Sequence, residues 1–297
     1  MHSLTLLSVT QSIFFRSQIM QNIHQPIWQL SQGHLNLLES CPRKFQHRYL
    51  DRLDTSVGID AHPHQQLGSQ FHQLMQQQSL GLPITPLLET DDRLQAWFDA
   101  FLQYPPQMIE GEQESEHQRL YWQDGFVLVA IYDLLIQNSH QAQIVDWKTY
   151  PLPKQADRLR THWQTQLYLY VLAETSEYPP DQLSMTYWFA EASAQSGGKA
   201  SFLTFPYSKA QHQKNQQSLA DLLAKLRQEL TDYETGGAMP QVALNDGKCV
   251  SPNHQCEFAE RCQRRLEEEA AIALQDTLAD IEAMPEIPLA ETEPLSD

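Results

Sequence analysis

The spacing of apolar residues along the chain predicts an alternation of helices and strands. A helical period occurs in five stretches, which are residues 34–52, 68–80, 91–103, 156–175 and 208–234. Short runs rich in apolar and β-branched residues predict four strands, at residues 126–136, 143–150, 185–190 and 201–206. We therefore expect an α/β fold in which a central sheet is flanked by helices.

The first two predicted strands are joined by the short polar segment QNSHQAQ, which predicts an antiparallel hairpin. The second of these strands contains IVDWKTY. Because side chains alternate along a strand, Asp146 and Lys148 share one face, about 7 Å apart, whereas Trp147 points to the other face as a core residue. Asp133 lies near the end of the first strand, so the hairpin brings its carboxyl group close to that of Asp146.

This pair of acids beside a lysine indicates a metal-dependent reaction centre. Two adjacent carboxylates repel each other, and one tends to stay protonated unless a cation bridges them. Their oxygen atoms suit Mg²⁺ or Mn²⁺. Lys148 is placed to polarise an attacking water or to stabilise the charge that grows on a phosphate. The alternative without chemistry is a surface salt bridge between Asp146 and Lys148.

The negative charge of the chain excludes a general attraction to nucleic acid. The net charge is −17, but the segment from Glu267 onward holds ten acids and no Lys or Arg, which leaves −7 for the rest. Any nucleic-acid contact must then be local. The densest candidate is CPRKFQHRYLDR, which contains Arg43, Lys44 and Arg48, and a solvated helix face is the simpler interpretation. The tryptophans expected in the core are Trp97, Trp122, Trp163 and Trp188.

Four cysteines are distributed as one plus three. Cys41 stands alone, while Cys249, Cys256 and Cys262 form the pattern C-x6-C-x5-C. We expect no signal peptide, no membrane span and a cytoplasmic location, where thiols stay reduced and a metal site is favoured over disulfides. Four thiolates can hold a [4Fe–4S] cluster or Zn²⁺, with His254 as an alternative zinc ligand.

Five segments between about residue 31 and residue 262 together resemble the PD-(D/E)XK nuclease superfamily, in its RecB-like branch. They are LSQGHLNLLESCPRKFQHRYL, LGSQFH, VAIYDLL, IVDWKTY and QTQLYLY. That branch includes the nuclease domains of recombination helicase–nucleases and the CRISPR-adaptation exonucleases. The resemblance implies a restriction-endonuclease-like central mixed sheet. Tyr132 replaces the proline that names the superfamily, and Ala130 stands where a glycine is common.

The resemblance also implies roles for individual residues. His72 follows Gly68 in a G-x-x-x-H run whose histidine binds metal in this family. The implied Mg²⁺ or Mn²⁺ ligands are His72, Asp133, Asp146 and the backbone carbonyl of Trp147. The implied catalytic residues are Asp133, Asp146 and Lys148, with Gln166 and Tyr170 of a Q-x-x-x-Y helix supporting the site and the DNA backbone.

The cysteine distribution matches the iron–sulfur arrangement that is common in this branch, with one cysteine before the catalytic core and three after it. The implied [4Fe–4S] ligands are Cys41, Cys249, Cys256 and Cys262. The final C-x5-C fits the family, whereas the first gap is four residues longer than the usual C-x2-C. Such a cluster would clip the N-terminal helix to the C-terminal segment and close a long loop.

These observations predict a nuclease domain at residues 26–266, preceded by an extension at 1–25 and followed by an acidic helix and disordered tail at 267–297. The expected function is hydrolysis of DNA at single-stranded or frayed ends in repair or recombination, with a helicase, repair or CRISPR protein as partner. One alternative is a non-catalytic DNA-binding or regulatory subunit that keeps the fold. Another is an iron–sulfur or zinc protein without a nucleic-acid role.

Overall fold

The structure is a computed structural model that describes residues 27–53, 62–191, 202–251 and 254–264. The expected N-terminal extension and acidic C-terminal segment lie outside these residues, and so does the side chain of His254. The α-helices are α1 (Gln32–Ser40), α2 (Pro42–Phe45), α3 (His62–Ser79), α4 (Thr85–Leu88), α5 (Asp92–Gln103), α6 (Trp163–Glu174) and α7 (Lys209–Glu234). No helix in the described part is long and apolar enough to cross a membrane.

A six-stranded mixed sheet forms the centre of the fold. Its strands are β1 (Gln29–Leu30), β2 (Glu112–Gln123), β3 (Phe126–Gln137), β4 (Ala142–Lys148), β5 (Leu183–Phe189) and β6 (Phe202–Pro206). The order is β1-β3-β4-β5-β6, with β2 paired to β3. The β1–β3 and β4–β5 pairs are parallel and the others antiparallel. The predicted mixed sheet flanked by helices is confirmed. A separate small ribbon joins β7 (Val250–Ser251) to β8 (His254–Gln255).

The two faces of the sheet bury separate apolar clusters. One face packs against α1, α6 and α7, with the large side chains of Phe45, Tyr132 and Tyr187 fully buried. The other face packs against α3 and α5, where Phe71 lies 5.9 Å from Trp188 between ring centroids. The sheet is thus covered on both sides, which is typical of α/β proteins.

The helix predicted over residues 34–52 is interrupted at Cys41. This residue has an extended backbone, with φ −160° and ψ 105°, between α1 and α2. Pro42 explains the break, because a proline lacks an N–H donor and pushes the preceding residue out of the helical region. The chain then continues through α2 into a π-helical turn at Gln46–Leu50. Cys41 therefore lies at a corner between helices rather than within one.

Strand β2 is missing from the prediction because its sequence, EQESEHQRLYWQ, is largely polar. It is an edge strand, and in the described residues it pairs only with β3. A hairpin signal was nevertheless present, since Asp124 and Gly125 form the connecting turn with φ values of 53° and 86°. Trp122 on this strand is 58% exposed, so its assignment to the core was wrong. Trp97, Trp163 and Trp188 are buried as expected.

The β2–β3 turn generates a prediction about stability. Gly125→Ala should lower the free energy of unfolding by about 1–2 kcal/mol, because a side chain disfavours a left-handed backbone. The added Cβ would meet only Nη2 of Arg227, at 3.8 Å, so the cost comes from the backbone and not from a clash. Thermal denaturation measures the change. Asp124→Asn is the matched control and should be neutral, since asparagine tolerates this conformation. A Gly125→Ala variant as stable as the wild type would contradict the assigned turn.

Candidate active site

A pocket opens in the sheet where β3 and β4 diverge. Their pairing stops at Leu134 and Val145, and β1 pairs with β3 only at Val127 and Leu128. The segment of β3 in between, together with the end of β4, therefore borders open space. The titratable and amide side chains that line the pocket include His72, Glu116, Asp133, Asp146, Lys148 and Gln164.

The end of β4 confirms the predicted alternation. Nζ of Lys148 lies 2.8 Å from Oδ2 of Asp146, and both side chains are largely buried. Trp147 faces the other core and packs edge-to-face against Phe101 and Trp188, with ring centroids 5.5 Å and 6.2 Å away. The pair is therefore not a surface salt bridge, because its charges are removed from water at the edge of a pocket.

Gln164 of α6 bridges the two members of this pair. Its Nε2 donates a hydrogen bond to Oδ1 of Asp146 over 2.6 Å, and its Oε1 accepts one from Nζ of Lys148 over 2.8 Å. The carboxylate, the ammonium and the amide form a closed ring. This ring restricts Lys148 to one position, because its ammonium is held by an ion pair with Asp146 and by a hydrogen bond to Gln164.

The alternation of side chains along β3 breaks at Asp133. Tyr132 packs in the core beside α6, but Leu134 and Ile136 pack in the core beside α3, and Leu135 returns to the first side. Asp133 and Leu134 are therefore consecutive residues on one side of the strand. This break directs the Asp133 carboxylate toward α3 and into the pocket, where its Oδ2 accepts a hydrogen bond of 2.7 Å from the backbone N–H of Trp147.

A matching distortion occurs at Glu116, which lies opposite Asp133 on β2. Its φ is 51°, a left-handed conformation that is uncommon for a residue other than glycine. The ladder keeps the same register on either side of this position. Glu116 and its neighbour Ser115 both face α3, where Ser115 contacts Ser79 and Glu116 lies near His72. Strained backbone of this kind is concentrated at functional sites.

His72, Glu116 and Asp133 form a candidate metal centre. One ligand atom from each residue lies within 4.8 Å of the other two, and in the described residues this is the only such group of three or more His, Cys, Asp or Glu. Nδ1 of His72 lies 3.3 Å from Oδ1 of Asp133. An imidazole and carboxylates that converge at the edge of a pocket are a donor set suited to Mn²⁺ or Mg²⁺.

Burial and mutual repulsion shift the pKa values of the acids. Burial is the main cause that raises the pKa of Asp146 to about 6, and Asp133 adds to the shift although Lys148 opposes it. Burial and the charge of Asp133 raise the pKa of Glu116 to about 7. Burial would also raise the pKa of Asp133, but His72, Lys148 and the Trp147 N–H hold it below its usual value. Asp146 raises the pKa of Lys148 despite burial, so the ammonium stays charged.

Two buried polar atoms in the pocket contact other residues only through ion pairs. Nδ1 of His72 and Oδ2 of Asp146 make no hydrogen bond to any residue of the described part. Their close contacts are the ion pairs with Asp133 and Lys148. Buried polar atoms that lack a hydrogen bond are costly. A bound cation would coordinate these atoms and would also offset the repulsion between the acids. The residues present therefore fit a divalent metal ion.

The structure places Gln164 and Tyr168 of α6 at the pocket, whereas Gln166 and Tyr170, named from the sequence, lie elsewhere. Gln166 is partly exposed and donates its amide to the backbone oxygen of Thr161. Tyr170 is buried against Tyr121 and His212, away from the pocket. The residues that line the pocket are Gln164 and Tyr168, which have the same Q-x-x-x-Y spacing two positions earlier. A shift of two residues rotates a side chain by more than half a turn of the helix, so only one of the two pairs can face the site.

The basic residues proposed for DNA contact have mostly intramolecular roles. Nε of Arg43 donates a hydrogen bond of 2.6 Å to the backbone oxygen of Met239. Nζ of Lys44 lies 3.2 Å from a carboxylate oxygen of Glu257. Both therefore tie the N-terminal helices to the C-terminal part of the domain. Arg48 is exposed and keeps its predicted role as a candidate phosphate contact.

The four cysteines converge from the two ends of the domain. Cys41 and Cys249 are close enough for the Cys41 thiol to raise the pKa of Cys249, an effect secondary to burial. The same two causes raise the pKa of Cys262. Burial raises the pKa of Cys256 to about 11. Nε2 of His47 lies 3.6 Å from Sγ of Cys262, a neighbour that sequence reasoning did not identify.

Glu116 is the most important residue that sequence reasoning missed. It lies in the polar strand that was not predicted, and no motif marks it. The signal that could have found it is the Asp124–Gly125 turn, because a hairpin closed there places Glu116 opposite Asp133. Gln164 was missed because QTQLYLY contains two overlapping pairs with identical spacing.

The family model of the PD-(D/E)XK nuclease superfamily matches residues 29–263. Among solved structures, the chain is similar to SSO0001, with 12% identity, TM-score 0.34, and coverage of 74% of this chain and 86% of that one. It is also similar to a "putative exonuclease" from Eubacterium rectale, with 8% identity, TM-score 0.44, and coverage of 80% and 89%.

No curated protein has significant sequence similarity to the chain. The match to the family model spans most of the chain and includes every residue that lines the pocket. This chain belongs to the PD-(D/E)XK nuclease superfamily.

Proposed function

We propose that this protein is a metal-dependent deoxyribonuclease that hydrolyses phosphodiester bonds in the pocket between β3 and β4. The observation that carries the proposal is the convergence of the His72–Glu116–Asp133 group with the buried Asp146–Lys148 pair. Membership of the superfamily supports it, because PD-(D/E)XK nucleases are hydrolases that act on DNA with divalent metals. The resemblance to the RecB-like branch favours exonuclease action on single-stranded or frayed ends.

The metal ion would be held by His72, Asp133, Asp146 and the backbone carbonyl of Trp147, as expected from the sequence. Glu116 is a further proposed ligand, because it lies beside His72 and Asp133. When bound, Mg²⁺ or Mn²⁺ supplies Lewis acidity and lowers the pKa of a coordinated water. The protein fixes its ligands in advance, since the Trp147 N–H orients Asp133 and the Gln164 amide orients Asp146.

Lys148 is the proposed catalytic cation. Gln164 accepts one of its N–H donors and Asp146 is its ion-pair partner, which leaves a donor for an attacking water or a phosphate oxygen. Because the ammonium is already fixed and partly desolvated, it stabilises developing negative charge without reorganising. Gln164 is a positioning residue in this scheme, because it acts through Lys148 and Asp146.

A role in DNA repair or recombination, with a helicase, repair or CRISPR protein as partner, is part of the same proposal. The acidic character of the chain supports the existence of a partner protein. Because an acidic chain attracts DNA only weakly, a partner would be needed to bring the DNA to the pocket. The second candidate function, a non-catalytic subunit, shares this support. The intact group of acids, lysine and glutamine in one pocket favours the enzyme.

We also propose that the four cysteines hold a [4Fe–4S] cluster. A tetrahedral zinc site, with Zn–S bonds of about 2.3 Å, would bring its sulfur atoms within about 4 Å of each other. In the described residues no three of the thiols lie within 4.8 Å of one another. This wider spacing favours a larger inorganic group over a single zinc ion. His47 would lie beside the Cys262 ligand.

The site assignment predicts that Lys148→Ala and Asp146→Ala abolish cleavage. Loss of the fixed cation should lower kcat by about 10²-fold or more, whereas loss of the carboxylate should weaken metal binding as well. Cleavage of labelled single-stranded DNA with Mg²⁺ or Mn²⁺ measures the first effect, and metal titration measures the second. Circular dichroism controls for folding. If Lys148→Ala cleaves DNA as fast as the wild type, the assignment is wrong.

The register of α6 can be tested by a matched pair of substitutions. Gln164→Ala should lower activity by about 10- to 100-fold, because Lys148 and Asp146 lose their common hydrogen-bond partner. Gln166→Ala changes the same residue type two positions away and should leave activity unchanged. Steady-state kinetics of both variants decides the question. Equal losses, or a larger loss for Gln166→Ala, would restore the register predicted from the sequence.

The cysteine assignment predicts that anaerobically purified protein is brown, absorbs near 400 nm and contains iron. Cys41→Ser should lower the free energy of unfolding by about 2–5 kcal/mol, as expected for the loss of a cross-link that closes a long loop. Activity per folded molecule should change less than total activity, because Cys41 lies away from the pocket. Zinc in place of iron, under iron-replete expression, would contradict the cluster.

A further inference from the structure

An apolar surface extends from the pocket along one face of the β2–β3 hairpin. The cross-strand pairs on this face are Gln118 with Ile131, Leu120 with Val129, and Trp122 with Val127. Val129 and Ile131 also line the pocket, so the two surfaces are continuous. The surface, here called the hairpin strip, consists of Leu120, Trp122, Val127, Val129 and Ile131.

The outer part of the hairpin strip is open to solvent. Leu120 is 53% exposed and Trp122 is 58% exposed, and the other tryptophans of the chain are buried or half-buried. The opposite face of β2 is held to α6, because Arg119 donates a 2.7 Å hydrogen bond to the backbone oxygen of Thr175. Strand β2 is therefore anchored to α6 through the face opposite the hairpin strip. Large apolar side chains that are exposed on a fixed strand beside a pocket indicate a binding surface.

We propose that the hairpin strip binds the bases of a single-stranded nucleic acid whose phosphate occupies the pocket, with Trp122 as the stacking platform. The proposal rests on the proposed nuclease function and specifies its substrate class. The indole face of Trp122 can stack only on a base with an open face. In a duplex both faces are covered by neighbouring base pairs, so an unpaired strand is the form that this surface recognises.

Distance and charge agree with this assignment. Six residues of strand separate Glu116 from Trp122, which corresponds to about 20 Å. A strand that extends from the pocket to Trp122 therefore spans several nucleotides. The strip contains no cation and the chain as a whole is acidic, so long-range attraction to phosphates is weak. Base stacking depends little on sequence and supplies affinity where charge does not.

Binding without cleavage is the first test. Anisotropy of a labelled single-stranded oligothymidylate, measured in EDTA, should show that Trp122→Ala raises Kd by roughly 5- to 100-fold. Trp122→Phe keeps a stacking ring and should stay close to the wild type. Phe202→Ala is the matched control, since Phe202 is 36% exposed on β6, at the opposite edge of the sheet. It should bind like the wild type.

A second readout comes from the protein itself. The oligothymidylate should quench the tryptophan fluorescence of the wild type, and most of this quenching should be absent in Trp122→Phe. With Mg²⁺ or Mn²⁺ present, Trp122→Ala should raise KM and leave kcat nearly unchanged, because stacking is made equally in the ground state and the transition state.

The results separate this proposal from the nuclease assignment. If the wild type cleaves DNA and Trp122→Ala has the same Kd and KM, the strip is not a base-binding surface although the nuclease assignment stands. If the wild type cleaves no DNA but its fluorescence is quenched through Trp122, the strip binds single strands and the enzyme assignment fails. Self-association that disappears in Trp122→Ala, without oligonucleotide binding, would make the strip an interface between copies and overturn the proposal.

Discussion

Burial of Asp146 and Lys148 side by side at the end of β4 constrains the structure around the pocket. Each charge loses most of its hydration, and either one alone would cost several kcal/mol to bury. They are tolerated because each contacts the other and because Gln164 offers an acceptor to the lysine and a donor to the acid. Gln164 belongs to α6, the helix that connects β4 to its parallel neighbour β5. The position of α6 against the sheet and the burial of the charge pair therefore stabilise each other through Gln164.

The second constraint is the crowding of acids on the adjacent strands. The coincident breaks at Glu116 and Asp133 turn two carboxylates toward His72, and Asp146 approaches from β4. Burial, together with the charge of Asp133, raises the pKa of Glu116 and Asp146. A divalent metal would oppose this effect and coordinate the buried atoms of His72 and Asp146 that make no hydrogen bond in the described part of the chain. The proposed metal would account for both the convergence of the acids and the strained backbone at Glu116.

Protein contacts hold the N-terminal helices to the C-terminal part of the domain, near the converging cysteines. The side-chain oxygen of Gln46 accepts a 2.8 Å hydrogen bond from the Met239 backbone, and Arg43 donates to the oxygen of the same residue. Asp51 accepts a 2.8 Å hydrogen bond from Tyr233. A cluster at the cysteines would therefore strengthen a connection that already exists. This arrangement separates the proposed clip, which would act on stability, from the pocket, where the proposed chemistry would take place.

The sequence by itself determined the alternation of helices and strands, the shared face of Asp146 and Lys148, and the superfamily. Each of these depends on local periodicity or on motifs that lie within one segment. Only the tertiary structure decided that Glu116 joins the site, because that depends on the pairing of a polar edge strand and on a break in its alternation. It also decided between Gln164 and Gln166, since identical spacing does not fix the rotation of a helix against the sheet. The exposure of Trp122 depends in the same way on what packs against β2, which no local pattern records.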